Sequence, residues 1–467
     1  MRTSQRTSHR TPFMGGIDIQ NCKIKRQIEI ITIRKNKRTE TLMKKRGMMS
    51  SEEDVISDDI PTDDSLMVEK LYSDDMDIVH EALVFFRKKI SVDTDSFSVN
   101  YIIRSGILPK IISCLYLYAR HDIQLQCAWI ITNITASDED YFDSIKSAIN
   151  PLIQLFIISP CEDIREQSIW ALSNIMSEHN ILEYTKSSNI LKYLSKYLMN
   201  TKNISFVKTG LWALCNIIRM EKLSDVNIVE TFEIIKKYIS IRNDDILSMI
   251  FWILGNISRD GVYNQMLYDY KIIHILMKYI DGSVEKSTDF CIYSVKILGN
   301  IFALENKNHI QTIIDYGFLS KLKELILDNR YEKYLKEFCW ILSNITAGEE
   351  KHIELVLHHN FLHTIKELSS KFNTDTKIEV LWIISNIIAK KNSFYINYVL
   401  NCGYLSFILD NIKNLAMEYL CLEIIHTLST TTILNEDTID ILEEILLETK
   451  NDKIFSLTEK IIENILL

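Results

Sequence analysis

One spacing constrains this 467-residue chain more than any other feature: each of its six tryptophans is followed four residues later by asparagine. A seventh position, Lys296, lacks the tryptophan but keeps the asparagine, Asn300. Successive asparagines of the series are separated by 41, 42, 40, 44, 44 and 42 residues. Such a period indicates stacked repeats in which every unit packs on its neighbours. The pairs are Trp129/Asn133, Trp170/Asn174, Trp212/Asn216, Trp252/Asn256, Trp340/Asn344 and Trp382/Asn386.

Each repeat is predicted to be helical, and the period belongs to the size class of HEAT and armadillo repeats. Residues 123–136 carry apolar side chains at helical spacing. Pro109 and Pro151 each stand just before an apolar run, and proline is well tolerated in the first helical turn, so both predict helix starts. Three glycines occupy equivalent turns where helices are expected to join: Gly106, Gly317 and Gly403.

Composition excludes several other classes of protein. Only 12 glycines and 5 prolines occur, few for folds with many tight turns. No stretch reaches the roughly 18 uninterrupted apolar residues of a membrane span, and no secretory signal is evident. The nine cysteines contain no C-x-x-C pair, and no zinc-type spacing with histidine occurs, so neither a metal nor a cofactor is predicted.

Charge divides the chain into a basic arm and an acidic body. Residues 1–50 hold 13 Lys and Arg against 3 Asp and Glu, whereas the remainder holds 40 against 59. An acidic body attracts basic ligands, and the arm itself could occupy the same surface. Direct nucleic-acid binding by the body is disfavoured, because phosphate contacts need clustered Lys and Arg.

Tryptophan and asparagine at i and i+4 share one helix face, so stacked repeats would align the pairs into a ladder along one surface. In a curved solenoid this surface is usually the concave one. In one interpretation tryptophan fills the core and asparagine satisfies backbone groups. The recurrence in phase favours a second interpretation, in which the ladder binds a ligand. Indole faces hold Lys and Arg by cation–π contact, and asparagine amides suit an extended peptide backbone. The predicted ligand is an extended peptide rich in Lys and Arg.

Four stretches resemble the importin-α family: IIRSGILPK (102–110), EDIREQSIWALSNI (162–175), EFCWILSNITAG (337–348) and NDKIFSLTEKIIENIL (451–466). Lys296 also fits, because the family has a basic residue there that divides its two peptide-binding zones. The resemblance implies an all-α, right-handed superhelical solenoid of about ten armadillo repeats, preceded by a flexible basic arm. It also implies a nuclear import adaptor, found in cytoplasm and nucleus, that binds nuclear localisation signals.

The resemblance further implies two groups of site residues. Glu178 stands where the family usually has Asp, and Arg219 matches a basic residue beside the larger zone. Thr209, Met249 and Asn256 depart from the family pattern. We therefore expect the distal end of the larger zone to accept a narrower range of peptide side chains. The larger zone would comprise Trp129, Asn133, Gln167, Trp170, Asn174, Glu178, Trp212 and Asn216. The smaller zone would comprise Glu337, Trp340, Asn344, Glu379, Trp382 and Asn386.

The N-terminal arm resembles the importin-β-binding segment of the same family. We expect a tail over residues 1–22, an importin-β-binding segment over 23–47, an acidic flexible linker over 48–77 and the solenoid over 78–467. The cluster at 44–46 also looks like a localisation signal. Because it is tethered to the solenoid, its effective concentration is high, and it could occupy the ladder in cis and inhibit the binding of other peptides. The basic residues concerned are Arg34, Lys35, Lys37, Arg38, Lys44, Lys45 and Arg46.

Two other function classes fit these features less well than an import adaptor. An armadillo scaffold in adhesion or signalling has no need of a basic arm tethered to such a ladder. An enzyme is disfavoured, because the sequence has no Gly-rich phosphate loop, no H-E-x-x-H and no G-x-S-x-G. The predicted partners are importin-β and proteins bearing localisation signals, with an export factor implied at the C-terminal repeats.

Overall fold

The computed structural model describes residues 64–92, 97–137, 140–220, 225–283, 287–303, 307–431, 436–449 and 451–466. Helices and short 3₁₀ turns make up all the regular structure of these ranges, which confirms the predicted all-α fold. No described helix is long and apolar enough to cross a bilayer. The chain forms two compact units that divide between Ile253 and Leu254.

The first unit begins with two helices that precede the regular repeats, α1 (Asp64–Leu71) and α2 (Met76–Val92). Three repeats of three helices follow, and each repeat ends on a long helix that carries a tryptophan and an asparagine. These are α3 (Phe97–Arg104), α4 (Leu108–Cys114), α5 (His121–Thr135), α6 (Phe142–Ile145), α7 (Ile149–Ile158), α8 (Glu162–Glu178), α9 (Leu182–Ser187), α10 (Ile190–Asn200) and α11 (Ile204–Met220). The helix α12 (Asp225–Tyr238) and the start of α13 (Asp244–Asp260) complete the unit.

The second unit repeats the same pattern and closes with two long helices. Its helices are α14 (Asn264–Asp269), α15 (Ile272–Ile280), α16 (Thr288–Ala303), α17 (Lys307–Asp315), α18 (Phe318–Leu327), α19 (Leu335–Thr346), α20 (Glu350–His358), α21 (Phe361–Glu367), α22 (Thr374–Ile388), α23 (Ser393–Asn401), α24 (Tyr404–Asn411), α25 (Glu418–Ser429), α26 (Glu436–Glu448) and α27 (Asp452–Leu466).

The long third helices stack on one another within each unit. In the first unit α2, α5, α8 and α11 pack in succession, and in the second unit α16, α19, α22 and α25 do the same. Apolar residues at spacings of three and four drive this stacking: Ile169, Leu172 and Ile175 of α8 are at most 2% exposed. Each such burial stabilises the fold by roughly 1.5–3 kcal/mol. We call the seven that carry the asparagine series (α5, α8, α11, α13, α16, α19 and α22) the ladder helices.

In several repeats the turn between the first and second helices has a left-handed backbone. Gly317 and Gly403 have φ of 82° and 75° and directly precede α18 and α24, which confirms their predicted place in equivalent turns. Asn189 and Asn360 take the same conformation in other repeats, since asparagine tolerates it. Pro109 and Pro151 lie in the first turns of α4 and α7, as predicted.

The prediction of a flexible linker over residues 48–77 is wrong for its final part. Residues 64–71 form α1, which packs on α2 with Met67 2% exposed and Leu71 fully buried. Asp64 pairs with Lys89 of α2. The many acidic residues of this stretch concealed the i, i+4 spacing of Met67 and Leu71, which gives α1 an apolar side. The tail (1–22), the basic segment (23–47) and the start of the linker lie outside the described residues.

Candidate functional site: the Trp/Asn ladder

Several ladder asparagines bond to the ladder helix that precedes their own within the same unit. Asn174 Nδ2 donates to the carbonyl oxygen of Thr132 at 3.2 Å, and Asn216 Nδ2 donates to that of Ser173 at 3.0 Å. In the second unit Asn386 Nδ2 donates to the Ser343 carbonyl oxygen at 2.9 Å. Each acceptor is the residue directly before the preceding ladder asparagine. The structural interpretation of asparagine is therefore correct for its N–H groups, which hold successive repeats in register.

In the first unit the amide oxygens of two ladder asparagines, unlike their N–H groups, have no hydrogen-bond partner. Within the described residues, Asn174 Oδ1 and Asn216 Oδ1 are buried and accept no hydrogen bond, although the two side chains are only 3% and 0% exposed. Gln167 Oε1 and Trp212 Nε1 are buried and unpartnered in the same way. These are three acceptors and one donor on the neighbouring helices α8 and α11, and Arg165 Nε and Ser168 Oγ of α8 are buried without partners as well in the part of the chain that the structure describes. Burying such atoms without partners costs about 1–3 kcal/mol each.

The tryptophans differ in how much of the indole they expose. Trp129, Trp212 and Trp382 are half-buried, so part of each ring can accept a ligand. Trp170, Trp252 and Trp340 are only 8%, 6% and 4% exposed, and their rings contribute mainly to packing. The packing interpretation therefore applies to these three tryptophans, whereas ligand binding stays a prediction for Trp129, Trp212 and Trp382.

The carboxylates predicted for the smaller zone already have partners within the chain. Glu337 Oε1 lies 3.1 Å from Lys296 Nζ, and both side chains are mostly buried. Glu379 accepts a hydrogen bond from Ser343 Oγ at 3.2 Å, and burial raises the pKa of its carboxyl above the usual range. Asn344 is fully buried. A cationic ligand at Glu379 would compensate the cost of its desolvation.

Two polar residues near the larger zone bond to helix backbone. Arg219 Nη2 donates to the carbonyl oxygens of Met176 and Ser177 at 2.5 and 2.8 Å, at the C-terminal end of α8. Thr209 Oγ1 donates to the Ser205 carbonyl oxygen of its own helix at 3.1 Å. The side chain of Glu178 lies outside the described residues, as do all seven basic residues of the arm.

Arg87, which contacts the ladder, was not among the site residues predicted from the sequence. Arg87 of α2 places its guanidinium carbon 4.4 Å from the centroid of the Trp129 ring. Arg87 precedes Trp129 by 42 residues, which is one repeat period. The spacing therefore places Arg87 at the tryptophan position of a preceding repeat, but a pattern defined by tryptophan alone does not include an arginine.

Two family models match this chain. The model described as "Importin beta binding domain" matches residues 12–84, a wider segment than the predicted 23–47. The model described as "Armadillo/beta-catenin-like repeat" matches residues 99–136 and 143–177, which contain the first two Trp/Asn pairs.

Sequence relatives and a solved structure agree with these matches. Importin subunit alpha-5 of Arabidopsis thaliana is 26% identical over 415 residues, which cover 86% of this chain and 79% of that protein. Importin subunit alpha-1a of Oryza sativa subsp. japonica is 25% identical over 370 residues, covering 77% and 69%. The crystal structure of an engineered protein has the same fold, with a TM-score of 0.68 at 16% identity over 87% of this chain and all of that one. The chain therefore combines an importin-beta-binding domain with armadillo repeats and is a relative of the importin-α subunits.

Proposed function

We propose that this protein is a nuclear import adaptor, which binds Lys/Arg-rich localisation signals on the Trp/Asn ladder and joins them to importin-β through its N-terminal domain. The observation that carries the proposal is the cluster of unsatisfied polar atoms on α8 and α11: Gln167 Oε1, Asn174 Oδ1, Trp212 Nε1 and Asn216 Oδ1. The backbone of an extended peptide offers both N–H donors and carbonyl acceptors, which match this set.

The electrostatics of the ladder suit a basic peptide. The partly exposed indoles of Trp129, Trp212 and Trp382 accept Lys or Arg stems and heads at about 0.5–2 kcal/mol each. Carboxylates in the ladder helices, such as Glu379, add charge pairing. The acidic balance of the chain beyond residue 50 raises the local concentration of basic ligands.

The unsatisfied atoms permit a test that separates binding from folding. Gln167→Leu and Trp212→Phe each remove one unpartnered polar atom while they retain most of the side-chain volume. Gln167→Leu should keep or increase the free energy of unfolding, because a buried unsatisfied group is removed. For Trp212→Phe the same gain is offset by the packing that the smaller ring loses, so its free energy of unfolding should change little. Gln167→Leu should weaken the binding of a labelled Lys/Arg-rich peptide by roughly 2- to 10-fold in an anisotropy titration, which corresponds to one hydrogen bond of about 0.5–1.5 kcal/mol. Trp212→Phe should weaken it at least as much, because phenylalanine is also a poorer cation–π partner than tryptophan.

The matched control is Gln154→Leu, the same substitution at an exposed position of α7 outside the ladder helices. This variant should bind the peptide as the wild type does. Unchanged peptide affinity in both Gln167→Leu and Trp212→Phe would remove the assignment of the ladder as the binding site.

The N-terminal arm provides the second part of the proposed function, which is binding to importin-β. The importin-beta-binding domain would carry the complex to importin-β, while Lys44, Lys45 and Arg46 compete with cargo for the ladder when importin-β is absent. Replacing these three residues by alanine in the full chain should tighten peptide binding, and excess importin-β should do the same for the wild type. Removing the chain up to residue 71 is a poorer test, because α1 is packed on α2. No effect of either treatment would discard autoinhibition.

The remaining roles follow from this function. The protein would act without catalysis and shuttle between cytoplasm and nucleus, and an export factor at the C-terminal repeats would return it. A scaffold in adhesion or signalling is disfavoured by the importin-beta-binding domain. Exclusion of a fluorescent fusion from nuclei of cells with active import would contradict the shuttling role.

A further inference from the structure

Four helices of the first unit, one from each successive repeat, end side by side. Tyr118, in the turn after α4, donates its hydroxyl group to Gln154 Oε1 of α7 at 3.0 Å. The hydroxyl group of Tyr197, near the end of α10, donates to the carbonyl oxygen of Ile157, near the end of α7, at 2.7 Å. Lys237 Nζ of α12 donates to two carbonyl oxygens at the end of α10, both at 2.9 Å. We call the surface formed by the carboxyl-terminal ends of α4, α7, α10 and α12 the edge surface.

The first part of the edge surface exposes a row of apolar side chains. Tyr116, Ile158 and Met199 are separated by 42 and 41 residues, so they occur in phase with the repeats. They are 48%, 59% and 38% exposed, and Tyr118 beside them is 45% exposed. Single exposed apolar side chains are common on protein surfaces, but a row in phase with the repeat indicates a strip that contacts another segment.

The other end of the edge surface is basic. Segments 190–202 and 234–243 contain no acidic residue, although the chain beyond residue 50 holds 59 acidic residues against 40 basic ones. Glu233 and Asp244 border this end, and Asp245 is already paired with Lys208. Its exposed cations, which we call the basic end, are Lys196, Lys202, Lys236, Lys237 and Arg242. An anionic segment is attracted here, in contrast to the rest of the acidic body.

The chain itself contains a segment with the complementary order of side chains. Residues 51–63, which lie outside the described residues, directly precede α1 and hold six acidic residues and no basic one. An acidic block, Glu52 to Asp54, is farthest from α1, and the apolar residues Val55, Ile56 and Ile60 lie between this block and α1. Along the edge surface, the apolar row likewise lies between α1 and the basic end.

This segment is long enough to reach the basic end. The helix α1 lies beside α4, because Lys110 Nζ of α4 is 5.7 Å from the centroid of the ring of Tyr72, which directly follows α1. Packed helices are about 10 Å apart, so three repeats separate α1 from α10 by about 30 Å. The residues between Glu52 and Asp64 span up to about 40 Å when extended.

We propose that the edge surface binds the acidic segment of the same chain, residues 51–63. The acidic block lies on the basic end, and Val55 and Ile56 lie on the apolar row. Because the segment is tethered next to this surface, its effective concentration is high and modest contacts suffice. Binding fixes the point from which the basic N-terminal arm leaves the solenoid. The inference goes beyond the ladder and does not depend on it.

The test measures binding of a labelled peptide with the sequence of residues 48–63 to the full chain. In one protein variant, which we call the amide variant, the segment loses its charges through Glu52→Gln, Glu53→Gln, Asp54→Asn, Asp58→Asn, Asp59→Asn and Asp63→Asn. The amide variant should bind the peptide with a dissociation constant on the order of 0.1 mM. The wild type should bind it about tenfold more weakly, because its own segment at millimolar effective concentration occupies the surface.

Charge reversal in the amide variant locates the peptide. Lys202→Glu combined with Arg242→Glu, in the turns after α10 and α12, should weaken binding at least about tenfold. The matched control is Arg104→Glu combined with Lys146→Glu, because both residues are exposed but lie before the amino-terminal ends of α4 and α7. Ile158→Ser should weaken binding about threefold through the apolar row. Circular dichroism checks the fold of each variant, and Lys202→Gln with Arg242→Gln replaces the reversed pair if that pair unfolds.

Each other result would overturn the inference in its own way. Equal affinity of wild type and amide variant would show that the surface does not hold the chain's own segment and is open to an acidic partner. Affinity that neither charge-reversed pair lowers would assign the peptide to the basic N-terminal arm. Equal loss in both pairs would indicate general charge attraction, and no binding to the amide variant would remove the site. None of these results tests the ladder, which binds a peptide of opposite charge.

Discussion

Replacing Gly299 by alanine tests how closely the ladder helices of the second unit pack. Gly299 lies in α16, one residue before Asn300. A Cβ atom there would lie 2.3 Å from Cζ3 of Trp340 and 2.7 Å from Cγ1 of Ile341, both in α19. Trp340 is 4% exposed, so its ring has little room to retreat. The indole therefore lies directly against the helix backbone.

The expected magnitude follows from two opposing effects. Carbon atoms in ordinary contact are 3.5–4.0 Å apart, so the indole must move by more than about 1 Å, and such overpacking costs about 1–3 kcal/mol. Alanine is favoured over glycine in a helix by about 1 kcal/mol. We expect Gly299→Ala to lower the free energy of unfolding by about 1 kcal/mol.

Gly255 provides a matched control in α13. It also stands one residue before a ladder asparagine, Asn256, but a Cβ atom there would meet nothing within 4 Å. Gly255→Ala should therefore stabilise the protein by about 0.5–1 kcal/mol, which separates the two variants by about 2 kcal/mol.

Urea unfolding followed by far-ultraviolet circular dichroism measures this difference on the full chain. Because repeat proteins can unfold locally, amide hydrogen exchange of α16 and α19 should accompany it. Faster exchange in these two helices is expected for Gly299→Ala alone. If both variants are stabilised equally, the indole is not seated on the backbone of α16, and the packing described for Trp340 is wrong.

Three further predictions concern Glu379, Arg219 and His309. Burial raises the pKa of Glu379, so ionisation of its carboxyl lowers the stability of the protein as the pH rises from about 4.5 through the folded-state value. Glu379→Gln should therefore raise the urea midpoint at pH 7 but not at pH 3. An equal difference at both pH values would contradict this. Arg219→Met should lower the free energy of unfolding by about 1–2 kcal/mol, because two backbone carbonyls lose their donor; fast exchange confined to the end of α8 would support the assignment, and unchanged exchange there would refute it. Burial lowers the pKa of His309, so stability should fall as the pH drops from about 6.5 through the folded-state value, and thermal melts of His309→Gln should lack that fall.

The architecture and the ladder could be predicted because they depend on a period. Helices that stack in register repeat the same contacts every 40 to 44 residues, so the spacing of Trp129, Trp170 and Trp212 carries the fold directly. The turn position of Gly317 and the helix start at Pro151 follow from local backbone preferences, which also act on the sequence alone.

The roles of individual atoms could not be predicted from that period. The spacing does not reveal that Asn174 uses its N–H on Thr132 while its oxygen remains unpartnered, because that depends on the offset between two helices. It also does not distinguish the buried Trp340 from the half-buried Trp382, since neighbouring side chains decide how far each indole is covered.

Net charge was a misleading guide to helix α1. The acidic residues around it favoured an extended linker, but Met67 and Leu71 are buried in a helix that packs on α2. Charge summed over thirty residues cannot detect two apolar side chains one turn apart.

The most direct test of the central claim is a crystal structure of the full chain with a bound Lys/Arg-rich peptide. The account predicts an extended peptide on the ladder, with main-chain N–H groups donating to Asn174 Oδ1 and Asn216 Oδ1 and a lysine stem against Trp212. The N–H bonds of both asparagines to the preceding helix should remain intact. A peptide bound elsewhere, with these two oxygens still unpartnered, would contradict it.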